Sequence, residues 1–123
     1  MTLYNKYVLN KCKERGFELY VSNPCFEFWL LLHFDDIKNL DIDKLKENAR
    51  ISKKKRYTEH ELCNRLCGYK KGNHKVKELV SEDKINMAIE NEKEFCEVIE
   101  QLEYSVGCNI GLLISKMWRK QKN

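Results

Sequence analysis

Proline and glycine are scarce in this chain, and long apolar runs are missing. Its 123 residues include one Pro and five Gly, which excludes collagen-like and Pro/Gly-rich disordered proteins. The longest apolar stretch, around residues 28–32, is far shorter than the roughly 18 residues that a membrane span requires. The first residues contain no apolar region of the kind found in a signal peptide. We therefore expect one globular domain, spanning residues 1–123, with no membrane partner.

Six cysteines are present, but the sequence gives no reason to pair them. A disulfide framework requires an oxidising compartment, and no secretion signal is found. Cys12, Cys25 and Cys96 also fall within helical apolar patterns, where a free thiol packs as a small hydrophobic group. We expect reduced thiols in a cytoplasmic protein.

Two histidines and two cysteines form a candidate zinc site. Their order is H-x2-C-x3-C-x6-H, and the residues are His60, Cys63, Cys67 and His74. The residue types suit tetrahedral Zn²⁺, although the spacing is not that of a common zinc finger. A helix over residues 59–67 would place the first three on one face, where cysteines also pack against a core. Zinc binding and packing both stay open, and packing is favoured.

Positive charge is concentrated in one part of the chain. Residues 50–77 carry ten Lys or Arg and two acids, and residues 78–104 carry nine acids and two Lys. The first block could attract phosphates; the plainer interpretation is two solvated helix faces that attract each other. Lys outnumbers Arg 18 to 5, which favours backbone contacts over base reading. The candidate nucleic-acid-binding residues are Lys53, Lys54, Lys55, Arg56, Lys70 and Lys71.

The apolar pattern predicts an α/β protein that is mainly helical, with about five helices. Residues 17–21, from Phe17 to Val21, alternate and are rich in aromatic and branched types, which predicts the one clear strand. The longest helix is predicted to start at residues 81–83 and to carry apolar residues at 85, 88, 89, 95, 99 and 102. A lone strand leaves backbone groups unpaired, so we expect it to pair with missed strands, a second copy or an absent segment.

The segment of residues 21–34, VSNPCFEFWLLLHF, is the most unusual. Asn23 is predicted to cap a buried helix that starts at Pro24. Glu27 then lies in the first turn of a helix after a strand, where binding sites form in open α/β folds. Ser22, Asn23 and Glu27 could therefore line a site, with Glu27 the candidate catalytic group. The alternative is that Asn23 only caps the helix and that the negative charge of Glu27 interacts favourably with the positive end of the helix dipole. His33 is expected to be a packed or surface histidine rather than a base.

These residues resemble the strand-to-helix signature of the RloB-like family, bacterial proteins often encoded with restriction or phage-defence genes. The specificity of the match rests mainly on residues 22–34, in which the motif residues are Ser22, Asn23, Pro24, Phe26 and His33. Residues 69–72 (YKKG) resemble a later basic tetrapeptide of the family, and Asn109 resembles the start of its last helix. This chain has Val-Gly-Cys-Asn at residues 106–109, where the family usually has a Pro-Ser-Thr-Asn type of turn.

The resemblance implies a Toprim-like, metal-dependent nuclease in which acidic strands before the motif hold Mg²⁺. Those strands are missing here, so we expect this chain to correspond to the C-terminal half and to hold no cofactor itself. Asp41-Ile42-Asp43 follows the motif and is not assigned that role.

Three functions follow as hypotheses. The first is an incomplete defence nuclease that binds a nucleic-acid backbone, or serves assembly, without catalysis of its own. The alternative is an interaction domain that pairs with itself or with a partner ATPase, as the resemblance implies. The weakest is a hydrolase using Glu27, His33 and an Asp from residues 35–43.

Overall fold

A computed structural model describes residues 3–72 and 74–122 of the chain. The α/β, mainly helical class is confirmed, with six α-helices in these residues where about five were predicted. The elements are α1 (Leu3–Glu14), β1 (Ser22–Asn23), α2 (Phe26–Leu31), a 3₁₀-helix (Ile37–Asn39), α3 (Ile42–Glu47), α4 (Tyr57–Arg65), a second 3₁₀-helix (His74–Leu79), α5 (Glu82–Glu92), β2 (Gly107–Cys108) and α6 (Ile110–Lys122).

The sheet consists of β1 and β2 only, among the described residues. They pair antiparallel, with Ser22 opposite Cys108 and Asn23 opposite Gly107. The prediction of a strand at residues 17–21 is wrong, because that segment has no regular secondary structure and the strand begins at Ser22. Because residues 17–21 do not form a strand, their alternating apolar side chains do not pack on one face of a sheet. Phe17, for example, is 64% exposed.

A single residue, Asn109, supplies hydrogen bonds of the kind that a neighbouring strand would have given to residues 19–21. The Asn109 carboxamide accepts from the Val21 amide (2.7 Å, N to Oδ1) and donates to the Leu19 carbonyl (3.0 Å, Nδ2 to O). The Asn109 amide donates to the Val21 carbonyl at 3.2 Å. The Leu19 carbonyl and both backbone groups of Val21, in the segment predicted to need a strand partner, are therefore hydrogen-bonded within this chain.

The core is built around α2. Phe28, Leu31 and Leu32 are fully buried, and the helix packs on α4 and α5. The prediction of a helix buried on most sides is confirmed for Glu27 to His33. Its predicted start is wrong: Cys25 occupies the N-cap position, after a cis Asn23–Pro24 peptide bond.

The Asn23 side chain does not cap α2, since Cys25 holds the N-cap position and the Asn23 side chain bonds to a distant segment. Its carboxamide donates to the carbonyls of Leu102, Glu103 and Ser105. These bonds tie the end of β1 to the turns that precede β2. No helix in the described ranges is long and apolar enough to cross a bilayer.

Candidate nucleic-acid interface

The start of α2 and the basic residues predicted from the charge pattern meet in one cleft. The cleft has a volume of about 470 Å³. Six cationic side chains and two carboxylates contribute to its wall, so it is strongly basic. The lining residues are Pro24, Cys25, Glu27, Asn48, Arg50, Lys53, Lys54, Lys55, Arg56, Thr58, Glu59 and Lys71.

Most of the positive charge comes from the loop of residues 50–56, which we call the basic loop. Its ends approach each other, because Arg50 and Arg56 form an isolated antiparallel bridge. Within it the Ile51 amide donates to the Lys55 carbonyl at 2.9 Å. Arg50, Lys53, Lys54 and Arg56 remain exposed, so their charges are available to a ligand.

Asn48 fixes where the basic loop starts and ends. It ends α3 with a φ of 45°, a left-handed conformation that Asn tolerates better than most residues. Its Oδ1 accepts from both the amide and the hydroxyl of Thr58, each at 3.0 Å. Its carbonyl accepts from Arg56 Nη1 at 3.1 Å. One residue thus joins the end of α3, the loop and the start of α4.

Glu27 forms the acidic floor of the cleft. It is 7% exposed, and its Oε2 accepts a hydrogen bond from the Tyr69 hydroxyl at 3.0 Å. Burial and the adjacent Glu27 charge raise the pKa of Tyr69, so the phenol stays protonated and remains a donor. The carboxylate is therefore held in one position.

Cys25 lies beside Glu27 but is unsuited to act as a nucleophile. Its Sγ is 3.1 Å from Thr58 Oγ1. Burial raises the pKa of this thiol above its ordinary value. A thiol is nucleophilic as the thiolate, so Cys25 serves here as a packing and hydrogen-bonding group.

The other motif residues lie outside this lining. Ser22 and Asn23 belong to β1, Phe26 is 54% exposed, and Asn109 is buried against residues 19–21. His33 is packed in the core: its Nδ1 lies 3.0 Å from the Trp29 carbonyl and its ring contacts the Trp29 ring edge-on. Burial lowers the pKa of His33.

The acids near the motif do not gather around Glu27. Asp36 pairs with Arg65 at 2.9 Å, and Asp41 caps α3 by accepting from the Asp43 and Lys44 amides. Across the described residues no three His, Cys, Asp or Glu side chains come together as metal ligands. Mg²⁺ takes carboxylates together with phosphates and water. Two carboxylates, Glu27 and Glu59, among six cations do not fit a Mg²⁺ site.

The four zinc-candidate residues are also not assembled. His60 and Cys63 lie in α4, Cys67 follows it, and His74 starts the second 3₁₀-helix. Cys63 makes polar contacts instead, with its Sγ 3.4 Å from the Tyr69 carbonyl and 3.5 Å from Lys55 Nζ. Cys67 is exposed, so the expectation that it packs in the core is wrong.

The cleft contains predicted residues and others that sequence reasoning missed. Lys53 to Arg56, Lys71, Pro24 and Glu27 are part of the lining, whereas Lys70 is exposed outside it. The missed residues are Cys25, Asn48, Arg50, Thr58, Glu59 and, beneath the floor, Tyr69. Arg50 could have been predicted as a lining residue, since it is the first cation of the basic block of residues 50–77. The contacts of Asn48 and Tyr69 reach 10 and 42 positions along the chain, and no local pattern signals them.

Comparison with known proteins gives a family and no closer relative. No curated protein and no solved structure is similar enough to count as a match. A family model described as RloB-like protein matches residues 2–117, nearly the whole chain. The chain therefore belongs to the RloB-like protein family.

Proposed function

We propose that this chain binds the phosphate backbone of nucleic acid in the basic cleft and does not cleave it unaided. The observation that supports this function is the meeting of the family motif, through Pro24 and Glu27, with the basic loop and Lys71. Clustered Lys and Arg side chains release counterions when they neutralise phosphates. In this proposal the chain works in the cytoplasm as part of a Toprim-like defence nuclease, whose metal-holding acids come from elsewhere.

The experiment is a salt titration of binding to a fluorescent 20-nucleotide strand, measured by anisotropy. The test variant is the triple substitution Lys53→Ala, Lys54→Ala and Lys71→Ala, at exposed lining positions. Each lost phosphate contact reduces the slope of log K against log salt by about 0.7 for single strands. We expect weaker binding and a slope smaller by up to about two.

A matched control removes three charges outside the cleft. Lys6, Lys38 and Lys120 are exposed and do not line it, so Lys6→Ala, Lys38→Ala and Lys120→Ala should change the slope little. Equal effects of the two triple variants would show non-specific attraction and contradict the proposal, as would no binding at low salt. Incubation with Mg²⁺ should leave the strand intact; Mg²⁺-dependent cleavage lost in Glu27→Gln would contradict the non-catalytic role.

A second candidate function is docking of a protein partner, such as a second copy or a partner ATPase. It is favoured by an apolar groove in which Phe17 is 64% and Leu112 is 44% exposed, together with Leu9, Leu19 and Ile99. Light scattering coupled to size exclusion tests self-association. A dimer that Phe17→Ser converts to a monomer would support self-association, and a monomer at high concentration would rule it out.

A further inference from the structure

The charges of the basic cleft differ with depth. Five of the six cations are exposed at the rim, namely Arg50, Lys53, Lys54, Arg56 and Lys71. Lys55 and Glu59 are half-buried, and the deepest charged group, Glu27, is 7% exposed. The Tyr69 hydroxyl holds the Glu27 carboxylate in place at 3.0 Å. The cleft is therefore attractive to phosphate at its mouth and repulsive to phosphate at its floor.

A ligand that fills this cleft must have two parts that differ in charge and in hydrogen bonding. Its anionic part has to stay at the rim, because like charges repel strongly where water is excluded. The part that reaches Glu27 cannot be anionic and has to donate a hydrogen bond, since an ionised carboxylate only accepts. A nucleotide meets both conditions, with its phosphate at one end and amino or imino donors on the base edge.

The shape of the cleft distinguishes an unpaired nucleotide from a duplex. In a duplex the Watson–Crick donors are paired, and the groove edges are read by elements that protrude from a protein, such as a helix or a β-ribbon. A concave site cannot enter a groove. A volume of about 470 Å³ is in the range of small-ligand pockets, which is about 300–1,000 Å³.

We propose that the cleft receives one unpaired nucleotide of a single-stranded nucleic acid. The rim cations hold the flanking phosphates, and a donor of the base bonds to the Glu27 carboxylate. This inference rests on the proposed backbone binding and adds the class of ligand: single strands whose bases are free.

The experiment compares three probes with the wild-type protein at the same low salt. They are a labelled ten-nucleotide single strand, the blunt duplex of the same sequence, and a ten-unit abasic strand that keeps the phosphates. A hydrogen bond to a charged group contributes at least about tenfold to affinity. We expect the base-bearing strand to bind about tenfold more tightly than either other probe.

The variant Glu27→Gln tests the role of the floor carboxylate. It should bring the base-bearing and abasic strands to similar affinities, because the base loses its carboxylate partner while the rim cations that hold the phosphates are intact. Glu47→Gln, at an exposed position of α3 outside the cleft, is the matched control and should keep the preference. If Glu27→Gln does not fold, the abasic comparison on the wild type still decides the question.

The outcomes separate this inference from the proposed function. Equal binding of all three probes overturns the unpaired-nucleotide site and leaves backbone binding standing. A preference for single strands that is the same for the abasic strand overturns the base contact at Glu27. No binding of any probe at low salt overturns both.

Discussion

Tyr69 donates a hydrogen bond to Glu27 across 42 positions of the chain, with 3.0 Å between Oη and Oε2. Both residues are buried. This bond joins the segment after α4 to the first turn of α2, and so it connects the family motif to the second half of the basic block.

We expect Tyr69→Phe to reduce the free energy of unfolding by about 1.5–3 kcal/mol, because it leaves a buried carboxylate without its donor. Urea denaturation measures this change. Tyr104→Phe, at a 54% exposed position, is the control and should change stability by less than about 0.5 kcal/mol. Equal stability of the two variants would mean that the Tyr69 hydroxyl contributes nothing to the fold.

Asn109→Ala should reduce the free energy of unfolding by at least about 2 kcal/mol. The Asn109 side chain is buried and satisfies the Val21 amide and the Leu19 carbonyl, and both groups would lose their partner. Asn86→Ala, on the exposed face of α5, is the matched control. Equal denaturation midpoints would show that water replaces the carboxamide.

Glu92 should make the stability of the protein fall as pH rises. Its side chain is fully buried, its Oε1 accepts from the Gly111 amide at 2.9 Å, and its Oε2 has no hydrogen-bond partner among the described residues. Burial, together with the nearby Glu97, raises the pKa of Glu92 from 4.5 to about 8. The folded chain therefore keeps a proton that the unfolded chain releases.

The sign of this effect follows from proton linkage. Below pH 4.5 the group is protonated in both states, and above pH 8 it is ionised in both, so stability changes between these limits. In that window it should fall by up to about 1.4 kcal/mol per pH unit. Denaturation at pH 5, 6.5 and 8 should show a flatter profile for Glu92→Gln, and an unchanged one for the exposed Glu94→Gln. If the profiles of wild type and Glu92→Gln were parallel, Glu92 would be excluded as the source of the pH dependence.

Gly107→Ala should be severely destabilising. A Cβ at this position would overlap the carbonyl oxygen of Cys96, and the Cys108 amide bonds to that same carbonyl at 2.9 Å. Overpacking costs about 1–3 kcal/mol and occasionally more, and we expect the upper end here because the overlap is with backbone. Gly16→Ala is the comparison: its φ is +72° in open space, so it should cost about 1 kcal/mol. A Gly107→Ala protein as stable as Gly16→Ala would show that β2 shifts to accommodate the methyl group.

Local patterns predicted the helices better than the strands. Gly16 is a typical C′ glycine, so its position predicts that the first helix stops just before it. The structure confirms this stop, since α1 ends at Glu14 and Gly16 has a φ of 72°. The longest predicted helix ends early, at Glu92, although apolar residues at 95, 99 and 102 continue the stripe. Those residues lie in the turns that lead to β2. There the Cys96 amide donates to the Val106 carbonyl, and this tertiary contact outweighs the helical periodicity of the apolar residues.

The candidate site was predictable in its charge and not in its assembly. The basic block is visible in the sequence as ten cations within residues 50–77. Its position against Glu27 depends on the left-handed Asn48 and on the Tyr69 hydrogen bond. The capping role predicted for Asn23 failed for the same reason, since its partners are about 80 positions away.

The anchoring of both ends of the basic loop by Asn48 has a consequence for the thermodynamics of association. A flexible lysine-rich loop would have to be immobilised by its ligand, and fixing its backbone would subtract about 1–2 kcal/mol per residue from affinity. Here the backbone of the loop is already in place before any ligand arrives. Only side-chain rotamers remain to be ordered, so complex formation should proceed with little backbone entropy loss.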